Sequence, residues 1–259
     1  MRSISEIANF AVIGLAGIVI AGLATPVLIH MGPSEDSKSI AEISTIDAAF
    51  KAYKERYGSY PPSDFTHLDD PTSPQYKAIV AHIAKMFPRC DAAAVVAAIE
   101  KYGVKSPAQA LCFWLGGFGP DAEHPVSGWL DDPNVDRTNY FAFDNARLRF
   151  PEGKTKCPVY LPPEGGDAPY VFFSSASYAT QAPFNSDFNQ GGKGTAKPYR
   201  ADSTGGGFVN PNSFQIISAG RDGDYGGGTG SFPSGAGYVT GDKDNRTNFS
   251  LGTLDDAIP

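Results

Sequence analysis

The stretch that decides the fold is SEDSKSIAEISTIDAAFKAYKERYGSYPP, residues 34–62. Apolar residues recur in it at alternating steps of three and four, the spacing that places side chains on one face of an α-helix. They are Ile43, Ile46, Phe50, Tyr53 and Tyr57. Ser34 can cap the helix, and Gly58 followed by two prolines should end it, because proline has no amide hydrogen. We expect an amphipathic helix over residues 34–58.

An uninterrupted apolar segment precedes this helix. Residues 8–31, ANFAVIGLAGIVIAGLATPVLIHM, contain no Asp, Glu, Lys or Arg. A helix needs roughly 20 apolar residues to cross a bilayer, so the segment predicts a membrane helix. Arg2 before it and Glu35 after it favour a cytoplasmic N-terminus and a body outside the cytoplasm. A cleaved secretory signal is the alternative, against which the length of the apolar run argues.

Small residues in this segment favour contact between copies of the helix. Gly14, Gly17 and Gly22 allow neighbouring helices to approach closely in lipid. Glu6 lies at the membrane edge, where its carboxylate can pair with a cation such as the N-terminal ammonium of a neighbouring chain. A solvated interfacial glutamate is the other interpretation. The first arrangement would make Glu6 an assembly residue.

Composition narrows the classes of function. The chain has 259 residues, a net charge of -7 and no cluster of Lys and Arg, which argues against a nucleic-acid partner. Glycine and proline concentrate after residue 115, so the body should be rich in loops. Cys90, Cys112 and Cys157 have neither zinc-site nor redox-pair spacing. Buried thiols and one disulfide with an odd thiol both remain open.

Three short segments carry a resemblance to a known family. They are YGSYPP at 57–62, FQIISAGRDG at 214–223 and DNRTNFS at 244–250. In this order after an apolar helix, they resemble the major pseudopilins of type II secretion systems. The middle, with ALCFWLGG at 110–117 and PYVFF at 169–173, is similar to enlarged pseudopilin-type proteins of planctomycete-like bacteria. The resemblance implies an α+β, type IV pilin-like fold, in which a long N-terminal helix packs on an antiparallel β-sheet with helical and loop insertions.

The resemblance also divides the chain. Residues 1–33 would be the transmembrane and assembly helix, and residues 34–259 a pilin-like globular domain. Within that domain we expect the amphipathic helix half at 34–58, a helical insertion at 59–135, and the β-sheet with calcium-binding C-terminal loops at 136–259.

Local patterns predict the elements of the body. Two helices are expected within residues 73–102, and a third opens at Ser106-Pro107. The strand candidates are 139–143, 158–161, 170–173 and 213–218. Residues 185–211 and 225–241 are rich in Gly, Ser, Thr and Asn, and we expect them to form surface loops without a core of their own.

Four aspartates flank the second of these loops. Asp222, Asp224, Asp242 and Asp244 would repel one another unless a cation joined them, and calcium suits carboxylates mixed with carbonyls. The resemblance implies Asp222 and Asp244 as ligands, with the carbonyl of Ala219 as a third. Asp242 matches less well because the loop is longer than in the family, and Asp224 is our own addition. The alternative is that these are turn residues, since Asp next to Gly is common in turns.

The sequence lacks the usual catalytic patterns. His30, His67, His82 and His124 form no H-x-x-x-H pair, and there is no G-x-S-x-G elbow. We therefore expect no enzyme and no small-molecule substrate, with an anchored hydrolase as a minor alternative.

The resemblance implies a structural subunit of a type II secretion pseudopilus or type IV pilus-like filament. Its partners would be copies of itself, other pseudopilins and the inner membrane, with the globular domain in the periplasm or outside the cell. The alternative function is a monomeric, membrane-anchored protein that depends on calcium for binding or adhesion.

Overall fold

The computed structural model describes residues 35–127, 136–151, 156–185, 193–202 and 206–259. Its helices are α1 Glu35–Tyr57, α2 Pro74–Met86, α3 Ala92–Tyr102, α4 Pro107–Leu115 and α5 Thr240–Lys243, with short 3-10 turns at Asn145–Arg147 and Asp255–Ala257. Its strands are β1 Leu148–Arg149, β2 Val159–Tyr160, β3 Val171–Ser174, β4 Phe184–Asn185, β5 Thr195–Ala196, β6 Arg200–Ala201, β7 Phe214–Ser218, β8 Ser231–Phe232 and β9 Arg246–Thr247.

The predicted membrane helix lies outside the described residues, and so does Glu6. Within the described part of the chain, no helix combines the length and the apolar character needed to cross a bilayer.

Helix α1 follows the pattern that predicted it. Ile43, Ile46, Phe50 and Tyr53 are buried, and Tyr57 packs at the edge of the same core. The helix ends where Gly58 takes a positive φ of 76° and its N–H bonds the carbonyl of Lys54 at 2.7 Å. Glycine favours this ending because it adopts the left-handed conformation without steric cost.

The three insertion helices also form where the sequence predicts them. Ser73 caps α2, Asp91 caps α3, and Ser106 with Gln109 forms a capping box on α4. Each cap accepts hydrogen bonds from N–H groups that have no partner inside the helix. Ile79, Ile99 and Trp114 from these helices belong to the same hydrophobic cluster as α1, the α1-side core.

A three-stranded antiparallel sheet in the order β3-β7-β9 lies at the centre of the body. Side chains alternate between the faces of a strand. Phe172 and Ile216, which are opposite each other in the register, face the α1-side core. Val171 and Ile217, the next pair, belong to a second cluster, the loop-side core. Both faces of the sheet are therefore buried, one under helices and the other under loops.

The strand predicted at 139–143 is wrong. Only Thr138 forms an isolated bridge, with Phe118, and the next residues turn toward the end of α4. The N–H groups of Tyr140 and Phe141 bond the carbonyl of Leu115 at 3.0 and 3.4 Å. These amides satisfy a helix-end carbonyl instead of a strand partner. The aromatic run alone does not reveal this.

The expectation that residues 185–211 and 225–241 form surface loops is wrong for part of each region, because both contribute residues to a core that they share with the sheet. Tyr199 and Tyr225 are almost completely buried in the loop-side core. The side chain of Gln215 holds the loop by accepting from the N–H of Tyr199 at 2.7 Å and donating to its carbonyl at 3.0 Å. Short strands also form here, including a parallel pairing of β6 with β8. Isolated tyrosines supply the apolar area that average composition hides.

The buried histidine of α2 predicts a stability that depends on pH. His82 Nε2 lies 2.8 Å from the hydroxyl of Tyr53. Burial lowers the pKa of His82 from 6.5 to about 4, and Lys85 acts in the same direction. Between these two values the unfolded chain binds a proton that the folded chain does not, so stability falls as pH falls from 6.5 to 4. At 1.36 kcal/mol per pH unit, the loss is about 3 kcal/mol.

Denaturant unfolding of the full chain at pH 7, 5.5 and 4 checks this expectation. His82→Gln should lose less stability than the unaltered chain across this range, because glutamine takes up no proton. His124→Gln is the matched control, since that histidine is exposed beside Asp121. Parallel pH profiles for the unaltered chain and His82→Gln would contradict the account.

Candidate functional site

The N-terminal end of α1 is held to the C-terminal segment by a buried arginine. Arg246 of β9 has a side chain only 2% exposed, and its guanidinium pairs with Asp36 of α1 and, at 2.8 Å, with Glu164. Arg221 adds a bond to Asp36 at 2.7 Å. We call Asp36, Glu164 and Arg246 the arginine clamp.

Hydrogen bonds complete the arginine clamp around Glu164. The hydroxyls of Ser39 and Ser218 both donate to its carboxylate, the second at 3.3 Å. Burial raises the pKa of Glu164, whereas Arg246 acts in the opposite direction. A buried carboxylate stays ionised only when such partners offset its lost hydration. The clamp is therefore a connected network in which each member depends on the others.

Further along α1, at Glu42, a second ion pair joins the helix to the region of β2 and β3. Glu42 binds Arg147 with an Nη1–Oε2 distance of 2.8 Å. Tyr160 of β2 and Tyr170 donate their hydroxyls to the same carboxylate at 3.0 and 2.9 Å. The hydrogen bond to Glu42 raises the pKa of Arg147, so its guanidinium stays charged.

A third attachment uses the segment DNRTNFS. The side-chain amide of Asn248 donates to Asp47 of α1 at 2.9 Å. Its Oδ1 atom accepts from the N–H of Ile216 in β7 at 3.0 Å. Asp36, Glu42 and Asp47 thus attach one helix at three levels along its length, each through a different partner.

Sequence reasoning missed this network. The signal lies in the spacing, because Asp36, Ser39 and Glu42 continue the stripe of Ile43, Ile46 and Phe50 toward the N-terminus. Acidic residues in the first turn of a helix are favoured by the helix dipole alone, so their presence does not indicate a buried partner. Nothing in the sequence shows that Arg246, more than 200 residues away, meets it.

The four predicted aspartates lie in one loop cluster but in two pairs. Asp244 Oδ2 accepts from the backbone N–H groups of Arg221 and Asp222, at 2.8 and 3.2 Å. Asp224 Oδ1 accepts from the N–H of Gly226 at 2.9 Å. Asp242, completely buried, also borders Gly226, where an added Cβ would lie 2.4 Å from its Cγ. Asp222 and Asp244 therefore form one pair, and Asp224 and Asp242 the other.

Asp242 holds the glycine-rich loop in shape. Its Oδ1 accepts from the hydroxyl of Tyr199 at 2.8 Å, and its Oδ2 accepts from the N–H groups of Val239 and Gly227, at 2.8 and 3.3 Å. Both oxygens already have donors. Backbone and hydroxyl donors can therefore replace the hydration that the buried Asp242 carboxylate loses, without a cation. The prediction from sequence considered only the repulsion between the aspartates.

The first pair fits a cation better. Asp244 Oδ1 is buried and accepts no hydrogen bond from the described residues. Partial burial raises the pKa of Asp222, and the charges of Asp244 and Asp224 raise it further. Ala219, whose carbonyl was predicted as a ligand, follows β7 directly and is buried. These are hard oxygen donors of the kind that calcium prefers.

A complete ligand cage is not formed by acidic side chains alone. Within the described ranges, no three His, Cys, Asp or Glu side chains converge closely enough to hold a metal ion. A cation at Asp222 and Asp244 would therefore need carbonyl oxygens or water for most of its six to eight ligands. Gly220 fits this crowded site, because its φ is +66° and an added Cβ would lie 2.4 Å from the carboxylate of Asp244.

Two clefts lie elsewhere on the body. One, of about 390 Å³, has a mixed polar and apolar lining that includes Lys105, Pro107 of α4 and Phe184 of β4. The other, of about 470 Å³, has Lys197 and Arg200 as its charged lining residues. The Arg200 guanidinium lies over the ring of Phe208, 4.8 Å from its centroid. The second cleft is thus basic in a chain whose net charge is -7.

Comparisons with models of known protein families, with curated proteins and with solved structures give no match. The function therefore has to be argued from the sequence and from the contacts described above.

Proposed function

We propose that this chain is a pseudopilin-like structural subunit that assembles into a filament through its N-terminal apolar segment. The observation that carries the proposal is the attachment of α1 at Asp36, Glu42 and Asp47. A rod that transmits force from a filament to a globular body has to be fixed to that body along its length. Charged side chains that make several directional hydrogen bonds oppose sliding of α1 along the body, whereas apolar contacts are not directional.

The burial of α1 supports assembly through the segment that precedes this helix. Its apolar stripe from Ile43 to Tyr53 is covered by the chain's own core, so it offers no apolar face to another subunit. The segment 8–31 remains, with glycines that allow close helix contacts. Copies of the chain, and other pseudopilins, would pack there, with the inner membrane holding the segment before assembly.

Electron microscopy of sheared surface material, with antibody to this chain, tests the proposal. Labelled filaments are expected from cells carrying the unaltered chain. Glu6→Gln should abolish them, because it removes the carboxylate that pairs with a neighbouring N-terminus. Glu55→Gln is the control, since Glu55 is exposed on α1. If filaments persist in Glu6→Gln, Glu6 is not an assembly residue. If the unaltered chain is found only as a monomer in the membrane, the proposed assembly is contradicted.

Calcium has a structural role within this proposal. Asp222 and Asp244, with the carbonyl of Ala219, would hold the ion, which would offset their mutual repulsion and join the loop after β7 to the segment that leads into β9. Asp224 and Asp242 shape the adjoining loop through their backbone donors. Both stretches flank the arginine clamp, so the ion would order the surface next to α1.

Chelation is expected to lower the melting midpoint of the full chain in detergent. Calcium at 100 times its dissociation constant would stabilise the folded state by about 2.7 kcal/mol. Asp244→Asn should remove most of the calcium response, whereas Asp69→Asn, at an exposed position, should retain it. Identical melting midpoints with calcium and with chelator would show that calcium does not stabilise the folded chain.

A second candidate function is a monomeric, anchored protein that binds another surface. The basic cleft favours it, because Lys197 and Arg200 could pair with acidic groups of a carbohydrate or another cell. The same microscopy separates the two functions, since this one requires membrane monomers without filaments.

A further inference from the structure

Two of the three cysteines are buried in the same core, where they are free thiols in the structure. Cys112 lies in the middle of α4, and Cys157 lies two residues before β2. Their side chains are 3% and 0% exposed, and both belong to the α1-side core. Cys90 differs from them because it is partly exposed, in the turn before α3.

Gln109 places the sulfur of Cys157 on the turn of α4 that carries Cys112. The Cys157 thiol lies 3.6 Å from the backbone oxygen of Gln109, and the Gln109 side-chain amide donates to the carbonyl of Cys157 at 3.0 Å. Residues three apart on a helix are neighbours on one face. Cys112 is three residues after Gln109, so its side chain faces the same contact.

Electrostatics gives a second indication that the thiols are close. Burial raises the pKa of Cys157 well above its usual value, and Cys112 is the next cause of that increase. Burial likewise raises the pKa of Cys112. Two groups affect each other's ionisation in this way only at short range.

We infer that Cys112 and Cys157 form a disulfide that joins α4 to the segment leading into β2. The inference rests on the proposed export of the body from the cytoplasm, because disulfides persist in oxidising compartments. The two thiols together lose two protons and two electrons as the S–S bond forms. A disulfide oxidant, either a small molecule or a thiol oxidase, accepts them and is reduced to two thiols.

The bond must form before the core closes. Thiolate is the nucleophile in disulfide exchange, and burial disfavours the thiolate of both residues. An oxidant also has no access to side chains that are so little exposed. Once formed, the bond is protected from reductants for the same reason, so the folded chain should keep the redox state in which it folded.

Differential alkylation of the full chain tests this inference, with Cys90 as an internal reference. The chain is isolated from native membranes and denatured in the presence of N-ethylmaleimide, which labels free thiols. It is then reduced and treated with iodoacetamide, which labels the thiols released from disulfides. Mass spectrometry is expected to find the first label on Cys90 and the second on Cys112 and Cys157. In Cys112→Ser, Cys157 should instead carry the first label. Because labelling is done after denaturation, this readout does not depend on the variant being folded.

Refolding in vitro separates failure of the inference from failure of the proposed export. Full chain refolded in detergent with oxidised and reduced glutathione should link Cys112 to Cys157, and chain folded under reductant should then resist oxidised glutathione. First-label modification of all three cysteines after oxidative refolding would overturn the inference, whatever the compartment. A pair that links in vitro but is reduced in cells would support the geometry and contradict export.

Discussion

Replacing Arg246 by methionine is expected to destabilise the folded chain by about 3–5 kcal/mol, because it leaves the buried carboxylate of Glu164 without its cation. The Glu164 side chain is 3% exposed, whereas Asp36 is 35% exposed and keeps its bond to Arg221. Methionine has a comparable length and fills part of the space, so the loss reports charge more than volume. Chemical denaturation of the full chain in detergent measures the change as a lower midpoint.

Two further variants make the interpretation specific. Arg246→Met combined with Glu164→Gln should recover part of the loss, since the neutral amide no longer needs a counter-charge. Arg149→Met should change stability by less than about 0.5 kcal/mol, because Arg149 is exposed and bonds nearby carbonyls. Equal effects of Arg246→Met and Arg149→Met would show that the arginine clamp does not hold α1.

Replacing Phe50 by alanine is expected to cost about 3–5 kcal/mol, the range for deleting a large buried aromatic side chain. The Phe50 ring stacks on Phe172 of β3, with centroids 4.1 Å apart and planes at 11°, and lies 5.1 Å from the ring of Phe214 in β7. It is completely buried. Phe50 is therefore the main apolar contact between α1 and the sheet.

Size and position serve as controls for this prediction. Phe50→Leu should cost less than Phe50→Ala, because leucine retains much of the buried volume. Phe150→Ala removes the same atoms from a side chain that is 59% exposed, and should have little effect. Unfolding midpoints that are the same for Phe50→Ala and Phe150→Ala would contradict the packing described here.

Local sequence signals predicted the helices well. The stripe from Ile43 to Tyr57, the two helical patterns within residues 73–102 and the Ser106-Pro107 opening all act within a few residues, so their effect can be read without knowing the tertiary fold. The strands at 170–173 and 213–218 were located for a similar reason, because both are compact apolar runs that the sheet buries on its two faces.

Features that depend on distant partners were not predictable in this way. Residues 139–143 contain an apolar, aromatic run typical of a strand, but Tyr140 and Phe141 bond the end of α4. Tyr199 and Tyr225 anchor loops that look hydrophilic on average. For the acidic cluster, the sequence located four aspartates, but it could not show that Asp242 already has donors for both oxygens. Long-range pairing, not residue type, decides which of these groups needs a partner.

Cysteine cross-linking in intact membranes tests the central claim, that the apolar segment packs against copies of itself, most directly. Single cysteines introduced along residues 8–31 in a Cys90→Ser chain are expected to give covalent dimers at positions that recur every three or four residues, including Gly14 and Gly17. Absence of dimers at every position, with the segment still present in the isolated protein, would contradict the claim.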